Sequence, residues 1–144
     1  MLVLREVTHG SPEYDEVVEF RRQLLRLPLG LDFTPDQIAA ETTDIHLAGY
    51  VDEQLIACLV LTRASEGDLQ MRQVAVHPEF RRQGIGRVLV HESERVAVRK
   101  RYGRMILHAR DTAVPFYESL GYSVEGDEFE EVSLRHFAMA KALS

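Results

Sequence analysis

Arg81-Arg82-Gln83-Gly84-Ile85-Gly86 sets two arginines and two glycines at the point where a strand-like run gives way to an amphipathic helix. That layout suits an anion. A helix start offers unpaired backbone N–H groups and the positive end of a dipole, and glycine lets a phosphate approach the backbone without meeting a Cβ. Arginine adds charge-assisted hydrogen bonds. The pattern by itself is weak, so its neighbours must carry the argument. Other reactive side chains read more plainly. Cys58, the single cysteine, lies within Leu55-Ile56-Ala57-Cys58-Leu59-Val60-Leu61 and is most simply a small buried hydrophobe, which leaves no disulfide framework and no cysteine-rich zinc site. Histidines 9, 46, 77, 91 and 108 fall at no metal-ligand spacing.

The elements that must position this loop follow from patterning. Leu2 to Val7 alternates like a half-buried strand, and Ser11-Pro12-Glu13 opens a helix through Val17, Val18, Phe20, Leu24 and Leu25 that Pro28 and Gly30 end. Thr34-Pro35-Asp36 starts a shorter helix running to about Glu41. His46 to Val51 and Leu55 to Arg63 read as strands joined by a hairpin at Asp52-Glu53-Gln54, and Glu66-Gly67-Asp68 turns into a strand from Leu69 to Val76. The glycine loop leads to a helix with Ile85, Val88, Leu89 and Val96 near one face. Met105 to Arg110 is the next strand. Asp111 or Thr112 caps a short helix through Leu120, which Gly121 stops, and Tyr122 to Glu125 and Leu134 to Ala140 read as two final strands. The strand-helix-strand unit from Leu69 to Arg110 implies a parallel pair with a right-handed crossover, whereas the hairpins imply antiparallel pairing.

Length and composition bound the rest. One domain over residues 1–144 is expected, with 45% hydrophobic residues to build its core. No apolar run approaches a membrane span and the first residues lack the form of a signal peptide, so a soluble, cytoplasmic protein without membrane contact is expected. The net charge of −6 argues against general nucleic-acid binding and favours cationic or neutral partners.

The run Val74-Ala75-Val76-His77-Pro78-Glu79-Phe80-Arg81-Arg82-Gln83-Gly84-Ile85-Gly86, followed by Phe116-Tyr117-Glu118-Ser119-Leu120-Gly121-Tyr122, resembles the GNAT superfamily of acetyl-coenzyme A-dependent N-acetyltransferases. The tail, with His108-Ala109-Arg110, Phe129-Glu130-Glu131 and His136-Phe137-Ala138-Met139, is similar to the ElaA-like branch. The resemblance implies an α/β (α+β) fold: a mixed, mostly antiparallel, twisted sheet of six to seven strands with a central splayed parallel pair, flanked by about four helices. It implies acetyl-coenzyme A as cosubstrate, with Val74, Ala75 and Val76 along the pantetheine and Arg81, Arg82, Gln83, Gly84, Ile85, Gly86 and Arg87 around the pyrophosphate, chiefly through backbone amides. It makes Tyr117 the acid that protonates the departing thiolate. The acceptor is a primary amine of a small molecule or peptide, which must lose a proton before it attacks. Gln70 stands where some relatives carry a glutamate and cannot accept that proton usefully. Glu128, Glu130, Glu131 and His136 remain as candidates for the base. Arg110 stands where many relatives carry an asparagine, and Ser133-Leu134-Arg135 departs from the expected ending of the branch. The N-terminal helices, including Arg21, Arg22, Leu27, Leu29 and Phe33, are expected to wall the acceptor site. An exposed final strand would suit a homodimer. A binding or sensing module for acyl-coenzyme A that has lost turnover is the reading from another class.

Overall fold

The computed structural model describes residues 1–144. Its strands are β1 (Leu2–Val7), β2 (Ile45–Val51), β3 (Gln54–Arg63), β4 (Asp68–Val76), β5 (Arg104–Arg110), β6 (Ser123–Glu131) and β7 (Leu134–Ala142). They form one sheet in the order β1-β2-β3-β4-β5-β7-β6. Only β4 and β5 pair in parallel; every other neighbouring pair is antiparallel. The helices are α1 (Pro12–Arg21), α2 (Pro35–Ala39), α3 (Ile85–Arg99) and α4 (Val114–Ser119).

Local chemistry accounts for the boundaries. The Ser11 hydroxyl accepts the Tyr14 N–H at 3.1 Å and caps α1, with Pro12 in the first turn. Past Arg21 the helix widens into a π-helical turn over Arg22–Arg26 and then tightens over Leu27–Leu29 before Gly30, so the single helix expected to run to Pro28 changes pitch part-way. Thr34 and Gln37 form a reciprocal capping box on α2. The two-residue hairpin after β2 holds Asp52 and Glu53 at φ 48° and 66°.

The two faces of the sheet carry different layers. Leu69 and Met71 of β4, Leu59 and Leu61 of β3 and Met105 and Leu107 of β5 pack with Leu89 and Val90 of α3 in the larger core. Cys58 and Ala75, on the opposite side of the same strands, pack with Tyr14 and Val17 of α1 in the smaller one. Val88, expected on the inner face of α3, is 45% exposed.

Two features position the site. Gln73 has φ 54°, and between the pairs Cys58↔Ala75 and Val60↔Arg72 strand β4 spends one more residue than β3, which is a bulge. Beyond it the parallel pair separates: β4 and β5 are in register only over Asp68–Met71 and Arg104–Leu107, although β4 runs on to Val76 and β5 to Arg110. The facing backbone groups past Met71 and Leu107 therefore lack a ladder partner.

Three expectations need correction. Strand β6 does not stop at Glu125, because Gly126 at φ 79° absorbs a bulge and pairing resumes from Phe129 to Glu131. The final strand is not an exposed edge, because β7 lies between β5 and β6; the edges are β1 and β6. Neither Asp111 nor Thr112 caps α4. Residues Asp111–Ala113 form a separate 3₁₀ turn, in which the Asp111 carboxylate accepts the Thr112 N–H at 2.8 Å, and α4 begins after Ala113.

Candidate active site

The splay opens into a cleft of about 970 Å³. Val74, Ala75 and Val76 form one wall, and Arg81, Arg82, Gly84, Ile85, Gly86 and Arg87 form its rim. Tyr117 and Phe116 of α4 face them, and Leu24 and Leu25 from the π-helical turn close the far side. Nine of the ten residues assigned by resemblance to the cofactor thus line one cavity together with Tyr117. Gln83 does not line it, since its side chain turns back to donate to the Glu79 carbonyl at 3.2 Å.

The backbone of the rim leaves N–H groups open toward the cleft. Arg82 at φ 65° and Gly84 at φ 78° are both left-handed, and Gly84 leads directly into the right-handed first turn of α3, the alternation that backbone anion nests use. The first hydrogen bond of α3 runs from Val88 N–H to the Gly84 carbonyl at 3.1 Å, so the N–H groups of the turn before it have no helical acceptor. Gly84 is required for its φ rather than for clearance, because a Cβ there would meet nothing within 4 Å. Gly86 is the crowded one: an added Cβ would lie 3.3 Å from the Phe116 ring. The Arg81 guanidinium is partly committed, donating from Nε to the Val76 carbonyl at 3.1 Å and strapping the loop to the end of β4. Unpaired strand edge, open N–H groups and volume all fit a long thioester cofactor with a pyrophosphate.

Tyr117 is 8% exposed, and its ring meets Phe116 and Tyr122 edge-on at 5.0 and 5.8 Å between centroids. Burial pushes its phenol up to about 12. The hydroxyl therefore stays protonated across ordinary pH and can act as a donor.

The remaining candidates lie elsewhere. Glu128 is on the exposed edge strand, where it accepts from Arg135 Nε at 2.7 Å, and it lines neither this cleft nor the cavities on the α1 face. His136 is buried on β7, its Nδ1 3.0 Å from the Leu134 carbonyl and its Nε2 3.6 Å from Glu131. Glu131 is the carboxylate that reaches a cavity: with His108 at 3.2 Å it lines a space of about 240 Å³ that also holds Gln70, Arg72 and Gln73.

Arg21, expected to wall the acceptor site, instead lies beneath it in a buried ion pair, and its partners Glu41 and Tyr14 were not anticipated. Arg21, fully buried on α1, makes a two-pronged pair with Glu41 at 2.6 and 2.9 Å, and Tyr14 donates to the same carboxylate at 2.7 Å. Burial opposes ionisation of Glu41, but the hydrogen bonds from Arg21 and Tyr14 outweigh it and hold the carboxyl below its ordinary range. The free Nε of Arg21 donates to the Gln73 side chain at 2.9 Å, so the pair grips the residue that makes the bulge. A signal was present. Arg21 falls seven residues after Tyr14 and four after Val17 on the inward stripe of α1, where an arginine must be paired.

Comparison with known proteins now has a site to refer to. Residues 32–143 match the family described as acetyltransferase (GNAT) domain. The chain belongs to the GNAT acetyltransferase family. Among curated proteins, the uncharacterized YyaT of Bacillus subtilis is 28% identical over 75 residues, a stretch covering 52% of this chain and 51% of that protein. The match thus spans about half the length of that relative. Among solved structures, an acyl-CoA N-acyltransferase from Pseudomonas aeruginosa superposes with a TM-score of 0.84 at 20% identity, covering 99% of this chain and all of its own. Escherichia coli ElaA gives 0.82 at 18% identity over 98% and 99% of the two chains. A GNAT family acetyltransferase from Elizabethkingia anophelis with acetyl-CoA bound gives 0.74 at 19% identity over 99% and 98%. At these identities the likeness establishes the fold.

Proposed function

We propose that this protein transfers an acetyl group from acetyl-coenzyme A to a primary amine of a small molecule or peptide, by direct attack while both are bound. The observation that carries this reading is the continuity of the cleft: splayed strand edge, N–H rim and a buried phenol line one cavity. Acetyl-coenzyme A would supply the activated acetyl group. The backbone of Val74, Ala75 and Val76 would pair with its amide arm, and the N–H groups from about Arg82 to Arg87 would hold its pyrophosphate.

On the opposite face the amine would enter past Gln70 and His108. Its N–C bond forms as the C–S bond breaks; the amine gives up one proton and the sulfur gains one, so amide and thiol leave neutral. Glu131 is the carboxylate placed to take the first proton, with His108 and His136 on either side of it. Tyr117 would supply the second. A free thiol ionises near 8.5, and a phenol at about 12 is the weaker acid by roughly 5 kcal/mol. The same burial that raises the phenol also raises a thiolate beside it, so the two approach each other as sulfur charge develops. Donation during C–S cleavage is then favoured over full ionisation beforehand.

A cytoplasmic setting suits this chemistry, and any homodimer pairing of sheets would run along β6 or β1. Calorimetry with acetyl-coenzyme A, followed by thiol release across a panel of amines, tests the reading. Binding with turnover is expected. No binding overturns it, and binding without turnover on any amine would make the chain an acyl-coenzyme A sensing module instead.

A further inference from the structure

The acceptor face holds two guanidiniums that no carboxylate pairs. Arg26 and Arg72 line both cavities on the α1 side: the one containing Glu131 and His108, and an adjoining one of about 330 Å³ that reaches Phe33 and Asp44. Neither guanidinium makes an ion pair. Arg72 has only a 3.4 Å contact to the Thr62 hydroxyl, and Arg26 Nε is buried without any hydrogen-bond partner. Glu41 and Glu131 favour the Arg26 charge from a distance, but no acid bonds either guanidinium directly. Glu41 is taken by Arg21, Glu131 faces His108, and Asp44 pairs with no cation.

The arrangement is held in place at a cost. The Phe33 ring lies 4.9 Å from the Arg26 guanidinium carbon and 4.8 Å from that of Arg21, so the side chain is seated rather than free. Burial first, then the charges of Arg21 and Arg72, work against Arg26, and the charges of Glu41 and Glu131 offset them only in part. A partly buried guanidinium with no ion pair and a like charge beside it favours an anion that can take parallel bonds from its terminal N–H groups, as a carboxylate does.

We propose that the acceptor is an amine that also carries a carboxylate, an amino acid or amino-acid derivative whose carboxylate sits between Arg26 and Arg72 while its amine points toward Glu131. Assigning the amine end rests on the acyl-transfer reading; the carboxylate site does not. Both cavities share Arg26, Arg72 and Gln73, so a single short molecule can span them.

The test is calorimetry on the full chain saturated with coenzyme A, using N-acetyl amino acids of varied side chain, each as the free acid and as its carboxamide. At least one acid should bind about tenfold or more tightly than its amide, and Arg26→Gln or Arg72→Gln should reduce that preference to about threefold or less. Arg26→Lys, which keeps the charge, should retain part of it. The unsubstituted protein alone is decisive if a variant misfolds. Absence of any acid preference, including absence of binding by either form, overturns the proposal, as does a preference that survives both glutamine variants. Thiol release with the matching free amino acids and their amides separates the two ideas. Carboxylate preference without release removes the transferase and leaves the site, whereas amides turned over as fast as acids remove the site and leave the transferase.

Discussion

At the scale of single residues the site divides between two faces of one sheet. Tyr117 stands on the α4 side and Glu131 on the α1 side, each lining its own cavity; under the proposed reaction the two would meet one bond where β4 and β5 part. Removing the phenolic oxygen should be felt in the transfer step and not in cosubstrate binding. Tyr117→Phe is expected to lower kcat by about a hundredfold while acetyl-coenzyme A affinity measured by calorimetry stays within about twofold. Turnover equal to the unsubstituted protein would end the assignment of the acid. How far this was legible is instructive. That Tyr117 and the glycine loop line one cleft was legible in the sequence because both lie in contiguous motifs. Which carboxylate of Glu128, Glu130 and Glu131 faces a cavity was not, because it depends on the bulge at Gly126, and Arg135 draws Glu128 to the solvent edge.

At the scale of elements the bulge and the loop after it set the geometry. Gly84 illustrates how little room the backbone has for choice. With φ at 78°, a valine there is strained whatever space surrounds it, and its relief would tilt the N–H groups away from their common focus. Gly84→Val should therefore weaken acetyl-coenzyme A binding by about tenfold, or about 1.4 kcal/mol, while lowering the melting temperature by only a few degrees. Undiminished affinity would mean that the rim is not the anion site. Strand β1 and the capped starts of α1 and α2 were evident from alternation and capping residues, which act locally. The pitch change after Arg21 was not, since Leu24 and Leu25 fit a regular helix equally well; both pack against the smaller core and line the cleft.

At the scale of the whole molecule, strand order was the part hidden from the sequence. Nothing in the alternation of Leu134 to Ala140 says that it inserts between two earlier strands, because non-local pairing decides that. The buried acids of both cores give a global prediction. Cys58 is fully buried, and burial pushes its thiol from 9 up to about 12; burial likewise raises Tyr117 from 10 to about 12. In the unfolded chain these groups ionise from about pH 9 and 10, whereas in the folded chain they stay neutral until near 12. Both folded values are raised, so their contribution is complete below pH 9 and is lost as pH climbs toward 12. Denaturant unfolding between pH 8 and 11 should show stability falling by up to about 1.4 kcal/mol per pH unit for each ionising group. Cys58→Ala should flatten the slope between about pH 9 and 10, whatever offset it introduces at pH 8; an unaltered slope there would refute the thiol's part.

The interior position of β7 bears on how the protein comes to exist. Until the last stretch of the sheet has been synthesised, β5 and β6 have nothing between them, and the outer edge of β5 is bare. The N-terminal strands can pair as they emerge, but the half of the cleft that leans on β5 waits for the final segment. A nascent chain would thus acquire its cosubstrate site late and all at once, and one stalled a few residues short of β7 would present an open sheet edge to its neighbours.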